Sequence, residues 1–353
     1  MKMVKVGNRT IGAGQPCFIV AEVGINHNGD MALARAMIDA AVAAGADSVK
    51  FQNYRTDDFL ADRSLSHTYV SQGREVTESQ YDMFKRYELT PAALMECKRH
   101  CDRCGVIFHS TPTSEEGIRE LVALDSLVLK NGSDFLGHLP LIQCMARTGI
   151  PSVLATGMAT LAEIDDAVRA FWAAGGHELI LLHCTSAYPT PPDQVHLRKM
   201  HTLAEAFGCP VGFSDHTEGV EAAIGAVALG ACWIEKHFTL DHGLSGPDHS
   251  FSLDPSEFKE LVKAVRCVER ELGCGPIGPT VAEEVGRRNF RLSCVAAHDL
   301  ACGQLLTRTD IAFMRPGIGF PPKHASWFIG QRLKYKVNKG EVLLLKQFTE
   351  ENM

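Results

Sequence analysis

Two histidines, His216 and His237, close consecutive strand-like runs, Val211-Gly212-Phe213-Ser214-Asp215-His216 and Cys232-Trp233-Ile234-Glu235-Lys236-His237-Phe238. Between them, residues 220–229 read as one short alanine-rich helix. A strand–helix–strand unit puts both imidazoles at the same C-terminal edge of a parallel sheet, the edge where α/β barrels build active sites. Imidazole is a common ligand of catalytic divalent metals, whereas structural zinc usually takes four protein ligands. The pair predicts a catalytic metal site with open positions, rather than one core and one surface histidine. Lys50 and Lys130 end two further apolar runs. A lysine inside an apolar strand is costly unless a fixed anion compensates it. Taken together with nearby hydroxyls, the two predict a site for phosphate and carboxylate rather than two amines reaching for solvent.

The elements that must position these groups recur along the chain. Strand-like runs fall at residues 17–24, 48–52, 106–111, 126–133, 152–157, 179–186, 211–216 and 232–238, mostly continuously apolar, as strands covered on both faces are. Between them lie helical patterns such as Leu33, Met37, Ile38, Ala41 and Val42, or Ile164, Val168 and Phe171. The expected architecture is α/β, a (β/α)8 TIM barrel. The alternative, a doubly wound sheet, lacks its glycine-rich dinucleotide loop after the first strand. Polar residues collect at the strand ends: Glu22, then Lys50 with Gln52, Lys130 with Ser133, Ser186 with Tyr188, Ser214 with His216, and Lys236 with His237. Residues 55–79 form a long polar connection on the catalytic side, either a cover for substrate or an ordinary solvated loop. Past a helix ending near Leu272 comes a glycine/proline stretch, residues 273–279, and from about Glu283 short β-like pieces with turn signals. The domains are read as a barrel over 1–272, a linker over 273–282 and a small β-rich domain over 283–353.

A net charge of −7 without a basic stripe argues against nucleic-acid binding. No apolar run approaches the ~18 residues of a membrane span, and the N-terminus lacks the apolar core of a signal peptide. The chain is expected in the cytoplasm, its 12 cysteines reduced. Cys97, Cys101 and Cys104 have the CxxxCxxC spacing of some iron–sulfur sites, but they fall on a helix leading into a strand, at the barrel face away from the chemistry. They are read as helix-face residues.

Ala21-Glu22-Val23-Gly24-Ile25-Asn26-His27-Asn28-Gly29-Asp30, Val49-Lys50-Phe51-Gln52, Cys184-Thr185-Ser186-Ala187-Tyr188-Pro189-Thr190, Phe213-Ser214-Asp215-His216-Thr217, Glu235-Lys236-His237-Phe238-Thr239 and Gly246-Pro247-Asp248-His249-Ser250-Phe251-Ser252 resemble, in order, the sialic acid synthase family. Met314-Arg315-Pro316-Gly317-Ile318-Gly319 resembles that family's C-terminal antifreeze-like (SAF) domain. The resemblance implies a cytoplasmic transferase condensing phosphoenolpyruvate with N-acetylmannosamine, as the open-chain aldehyde, to N-acetylneuraminate and phosphate. The alternative is a legionaminic or pseudaminic acid synthase using a 2,4-diacetamido hexose. A non-catalytic carbohydrate- or ice-binding protein would leave the histidine pair and strand-end lysines without purpose. By the resemblance, Lys50, Lys130, Ser133, Ser186 and Ser214 hold phosphoenolpyruvate, and Glu22, Gln52, Tyr188 and Asp248 face the sugar. His216 and His237 bind the metal, Mn²⁺ first, with Mg²⁺ or Co²⁺ as alternatives. Arg315 reaches the sugar's acyl group from a second subunit, making a domain-swapped homodimer.

Two departures stand out. After Lys130 the family carries an acid where this chain has Phe135, and Asp134 comes one place early. In an extended segment such a displacement points Asp134 the other way. Ala155 stands where many members have a phosphate-binding serine, with Thr156 beside it as a replacement hydroxyl.

Overall fold

Successive strand residues face opposite ways, and in this chain the two faces have different jobs. The computed structural model describes residues 2–348. Eight parallel strands, Phe18–Gly24, Ser48–Asn53, Ile107–Pro112, Leu129–Asn131, Ser152–Ala155, Leu179–Cys184, Val211–Asp215 and Trp233–His237, form one sheet. The first pairs with the eighth, Glu22 opposite His237. The third and fourth lie side by side, so the sheet curls into a nearly closed, TIM-like barrel. Along the first strand Ile19, Ala21 and Val23 pack outward among the helices, while Phe18 and Val20 point inward. The helix joining the last two strands is Glu221–Ala228.

The inward residues at the N-terminal end make an apolar floor. Phe18, Val20, Val153, Ile180, Leu182 and Trp233 cluster there with Val4, Val6 and Ile11 from an N-terminal hairpin, Val4–Val6 and Arg9–Ile11. Trp233 stacks on Phe18 at 4.5 Å between ring centroids. Gly212 makes room for it: a Cβ there would lie 2.5 Å from the Trp233 carbonyl oxygen and 2.7 Å from Leu182 Cδ2.

Two local expectations change, and the reading of the cysteine cluster as helix-face residues holds. Residues 55–79 are not a loop. They hold a short helix, Thr56–Phe59, and an antiparallel hairpin, Ser66–Ser71 with Arg74–Ser79. Gln72 and Gly73 turn its tip with positive φ. The polar alternation Thr68/Thr77 and Tyr69/Val76 suits a two-sided ribbon rather than a core strand, so it reads as a loop. The fourth strand ends at Asn131, and Ser133–Phe135 is a 3-10 turn. Cys97 and Cys101 are buried on the helix Pro91–Cys104. Burial pushes the Cys97 thiol up to about 12.

The chain divides into two compact units, Met1–Gly273 and Cys274–Met353. The second begins with a 3-10 turn, Val281–Glu283, and a short helix, Glu284–Phe290, where β-like pieces were expected. It continues in the paired strands Ser293–Ala296 and Ile311–Met314. Its core is formed by Cys294, Leu306, Ile311, Phe328, Leu333 and Phe348 among others. Residues 349–353 of the expected C-terminal domain lie outside the described residues.

Candidate active site

Continued inward alternation carries each strand from the apolar floor into a polar mouth. The first strand passes from Val20 to Glu22, the sixth from Leu182 to Cys184, the seventh from Gly212 to Ser214, and the eighth from Trp233 to Glu235 and His237. These residues open onto a cavity of about 730 Å³. Glu22, Lys50, Gln52, Lys130, Ser133, Ser186, Tyr188, Ser214, His216, His237 and Asp248 all line it. Arg315 lies in the second unit, its guanidinium 5.3 Å from the Phe290 ring centroid. Lys236, on the opposite face of its strand, is outside this set: its amine bonds Asp215 Oδ2 at 2.9 Å.

At the bottom of the cavity lies a buried charge network. Lys50 Nζ is 2.9 Å from Glu22 Oε2, 3.5 Å from Glu235 Oε1, and donates to Thr111 Oγ1 at 3.0 Å. Lys130 Nζ is 3.6 Å from Glu235 Oε1 and donates to the Asn131 carbonyl at 2.8 Å. Ser214 Oγ donates to Glu235 Oε1 at 3.2 Å, and Gln52 Nε2 to Glu22 Oε1 at 3.2 Å. Burial opposes every charge here. It pulls Lys130 below the usual amine value despite Glu235. Burial pushes Glu22 up to about 7, against the pull of Lys50 and with repulsion from Glu235 added. For Glu235 burial is overcome by Lys130 and Lys50, which hold it at about 2. Two amines thus share one firmly ionised carboxylate and one carboxyl poised near neutrality. With both amines protonated, that leaves an excess of positive charge for an anion.

Beside this network Ser133 and Ser186 close on the Gly157 backbone and make a small hydroxyl-lined niche. Gly157 N–H donates to Ser133 Oγ at 3.0 Å. A Cβ on Gly157 would lie 2.4 Å from Ser186 Oγ and 2.7 Å from Ser133 Oγ. Ser186 Oγ and Glu235 Oε2 are buried with no hydrogen-bond partner, as donor and acceptor groups reserved for a ligand are. Ala155 lines the niche, but Thr156 does not replace the missing serine: its hydroxyl donates to the Leu182 carbonyl at 2.9 Å. Asp134, by contrast, is not turned away. The 3-10 turn that replaces an extended segment brings both Asp134 and Phe135 onto the cavity wall.

Higher on the wall the two imidazoles meet, ring centroids 5.3 Å apart. His216 Nδ1 lies 3.0 Å from the Thr185 carbonyl, which, as an acceptor, selects the Nδ1–H tautomer and leaves Nε2 as an electron-pair donor. Burial, with His216 alongside, holds His237 well below the usual imidazole value, so its ring is neutral. His237 Nδ1 is buried without a hydrogen-bond partner, 3.7 Å from Asp248 Oδ2. Burial pushes Asp248 up to about 6. His216 is held above the usual imidazole value against its burial, by Cys184 and the Thr185 carbonyl, but its Nε2 and the His237 ring, with the adjacent carboxyl group, make a donor set suited to one divalent cation with further positions open. Tyr188 covers the pair, its ring 4.3 Å from His216.

Glu235, Thr111 and Cys184 belong to the cavity and were absent from the candidate set. Glu235 had a legible signal: in Glu235-Lys236-His237 the period of two puts the glutamate, not the lysine, on the histidine's face.

Residues 37–276 match the family model described as the NeuB family, and residues 293–349 match the SAF domain. The chain is 37% identical over 342 residues to the N,N'-diacetyllegionaminic acid synthase of Legionella pneumophila, covering 96% of each. It is 32% identical to the human N-acetylneuraminate-9-phosphate synthase, covering 95% of this chain and 94% of the human one. Among solved structures, an N-acetylneuraminic acid (sialic acid) synthetase from Leptospira borgpetersenii, in complex with citrate, superposes with a TM-score of 0.73 at 31% identity. That match covers 81% of this chain and 95% of that one.

Proposed function

The chain belongs to the NeuB family of carbon–carbon bond-forming synthases and carries a SAF domain, and from that premise we propose that it joins phosphoenolpyruvate to an N-acylated hexose in the cytoplasm. The observation that carries this reading is the division of one cavity into a cationic, hydroxyl-rich bottom and a histidine pair above it. Lys50, Lys130, Ser133, Ser186 and Ser214 hold phosphoenolpyruvate, whose charge balances the excess positive charge of the network. Gly157, lacking a Cβ, lets the Ser133 and Ser186 hydroxyls close together beside the phosphate. Glu22, Gln52, Tyr188 and Asp248 orient the sugar aldehyde. The methylene carbon of phosphoenolpyruvate forms the new bond to the aldehyde carbon, and the aldehyde oxygen takes a proton. Water adds to the adjacent carbon, which carries the phosphate, and gives up its protons as that carbon's bond to the phosphate oxygen breaks, so a nine-carbon 2-keto acid and phosphate are the products. Glu22, poised near neutrality by burial, is placed to exchange a proton with the sugar.

His216 and His237, with Asp248 beside them, would hold a divalent metal, Mn²⁺ before Mg²⁺ or Co²⁺. When bound, it supplies Lewis-acid polarisation of the aldehyde. Two sugars suit the premise: N-acetylmannosamine, giving N-acetylneuraminate, and a 2,4-diacetamido hexose, giving a legionaminic or pseudaminic acid. The names of the Leptospira synthetase and of the legionaminic and pseudaminic acid synthases support both. The test is phosphate release from phosphoenolpyruvate with each sugar, with and without Mn²⁺. Release requiring a sugar and metal supports the reading; none with any N-acyl hexose rejects it.

The proposed assembly is a domain-swapped homodimer in which Arg315 serves the partner's cavity, where its guanidinium offers several fixed donors to an acyl carbonyl. Mixing Arg315→Ala and His237→Ala chains tests it. Activity recovered in mixed dimers supports action across the interface, and mixed dimers as inactive as their parents reject it.

A further inference from the structure

On the helical wall of the barrel, among residues that do not line the cavity, three metal-ligating side chains converge. Asp39 lies on the helix Met31–Ala44, and His100 and Cys104 lie on the helix Pro91–Cys104. His100 and Cys104 are four residues apart, so both project from one face of their helix. His100 Nε2 is 2.6 Å from Asp39 Oδ1, and the Cys104 thiol donates to the same oxygen at 3.4 Å. One ligand atom from each of the three lies within 4.8 Å of the others. Arg35, one turn before Asp39, pairs with Glu96, one turn before His100. A second contact therefore sets the spacing of the two helices next to the cluster.

Two features separate this cluster from an ordinary surface network. The other such group among the described residues, His242 with Asp254 and Glu257, is already employed: both carboxylates cap the helix Pro255–Leu272 by accepting from backbone N–H groups. Asp39 caps nothing. Among the described residues its hydrogen bonds come only from His100 and Cys104, the two groups that would ligate a cation with it. The spacing fits as well. Tetrahedral bonds of about 2.0–2.3 Å to nitrogen, oxygen and sulfur set ligand atoms roughly 3.3–3.6 Å apart. The thiol and carboxylate are at that separation already, and the imidazole and carboxylate need to part by only about 1 Å to reach it.

We propose that Asp39, His100 and Cys104 bind one thiophilic divalent cation of the zinc class, with water completing its coordination, and that the ion ties the two helices together. A thiolate and an imidazole select such an ion over Mn²⁺ or Mg²⁺, which favour oxygen. On ligation the thiol proton passes to solvent and the imidazole proton moves from Nε2 to Nδ1. Arg103, which donates to His100 Nδ1 at 2.8 Å, gives up that bond and turns into water from its exposed position. The site stands apart from the synthase reading and from the histidine pair of the cavity.

The test titrates the full chain, stripped of metal and kept reduced, with Co²⁺ as a spectroscopic probe. A thiolate-to-cobalt charge-transfer band should appear in the near ultraviolet. Cys104→Ser should abolish it, and His100→Gln should weaken the Co²⁺ binding that it reports by about tenfold or more. The double variant His216→Ala with His237→Ala, which lacks the cavity imidazoles, should keep the band. Zn²⁺ should displace the Co²⁺ from this site, whereas Mn²⁺ in about hundredfold excess should leave the band in place. The rise in Tm that Zn²⁺ produces should be smaller in Cys104→Ser than in the parent. Absence of the band in the parent, its survival in Cys104→Ser, or its loss in a folded chain lacking the cavity histidines would overturn the site. Displacement by Mn²⁺ would overturn the class of ion. Equal rises in Tm would overturn the tie between the helices.

Discussion

The two ends of the barrel are made by the same strands and obey opposite physics. At the floor the inward side chains are largely apolar, Trp233 stacks on Phe18 with His109 edge-on to it, and Gly212 is shaved to admit it. One or two residues further along the same strands, the inward positions are Glu22, Lys50, Lys130, Glu235 and His237. The floor gains stability from burial. The mouth gives some of it up, because four charged groups are held out of water with buried donors and acceptors unpartnered. Stability and chemistry are therefore segregated along the barrel axis, and a strand residue's role depends on its height as well as its type.

Substitutions at each level can break that segregation. The largest stability effect belongs to the floor. Trp233→Ala should cost about 3–5 kcal/mol, seen as a fall in Tm of roughly 10 °C for a unit of this size. A negligible change would mean that the floor is not what stabilises the barrel. Next is Lys130→Met, which keeps the volume and removes the charge. Its kcat/KM for phosphoenolpyruvate should fall by about 10²–10³, the scale of one lost electrostatic donor, with a Tm change much smaller than that of Trp233→Ala. Equal loss of Tm in the two variants would erase the distinction between the ends.

A finer cut uses Gly157→Ala, which puts a methyl between Ser133 and Ser186. Overpacking of this kind costs about 1–3 kcal/mol, here expected as an approximately tenfold rise in KM for phosphoenolpyruvate with little change in Tm. An unchanged KM would remove the niche from the anion site. The smallest effect is also the most specific to the mouth. Glu22 sits at about 7, above the ~4.3 of an unfolded glutamate. The native state therefore retains a proton that the unfolded chain has released, and stability falls as pH rises from about 4 to 7. Glu22→Gln lacks this decline, so its Tm advantage over the parent should widen between pH 5 and pH 8. An advantage that is constant or narrows with pH contradicts a costly mouth.

How much of this was legible followed from period and burial. The eight strands were readable because most are apolar on both faces, from Ile19 and Val20 to Phe213 and Ile234. The site residues stood out as polar exceptions at strand ends. The hairpin within 55–79 was not readable, since its strands are polar and only Tyr69 packs on an apolar cluster, too little for an alternation to stand out. Glu235 was overlooked because its neighbour Lys236 drew attention, though only one of two adjacent residues can face inward. The positions of Asp134 and Phe135 depended on a 3-10 turn, and an extended reading placed the acid away from the cavity. The ring contacts of Phe59 with Phe84 and Phe135 join residues from distant segments, which no local pattern reveals.

The N-terminal hairpin that seals the floor also sets a timetable. With Val4, Val6 and Ile11 among the residues that close the far end, ligands enter from the C-terminal ends of the strands, and traffic there is last in, first out. The ligand seated among the lysines must arrive before the sugar fills the passage above it. After reaction the nine-carbon acid must depart before phosphate can escape. Steady-state kinetics should then be ordered, with inorganic phosphate competing against phosphoenolpyruvate but not against the sugar.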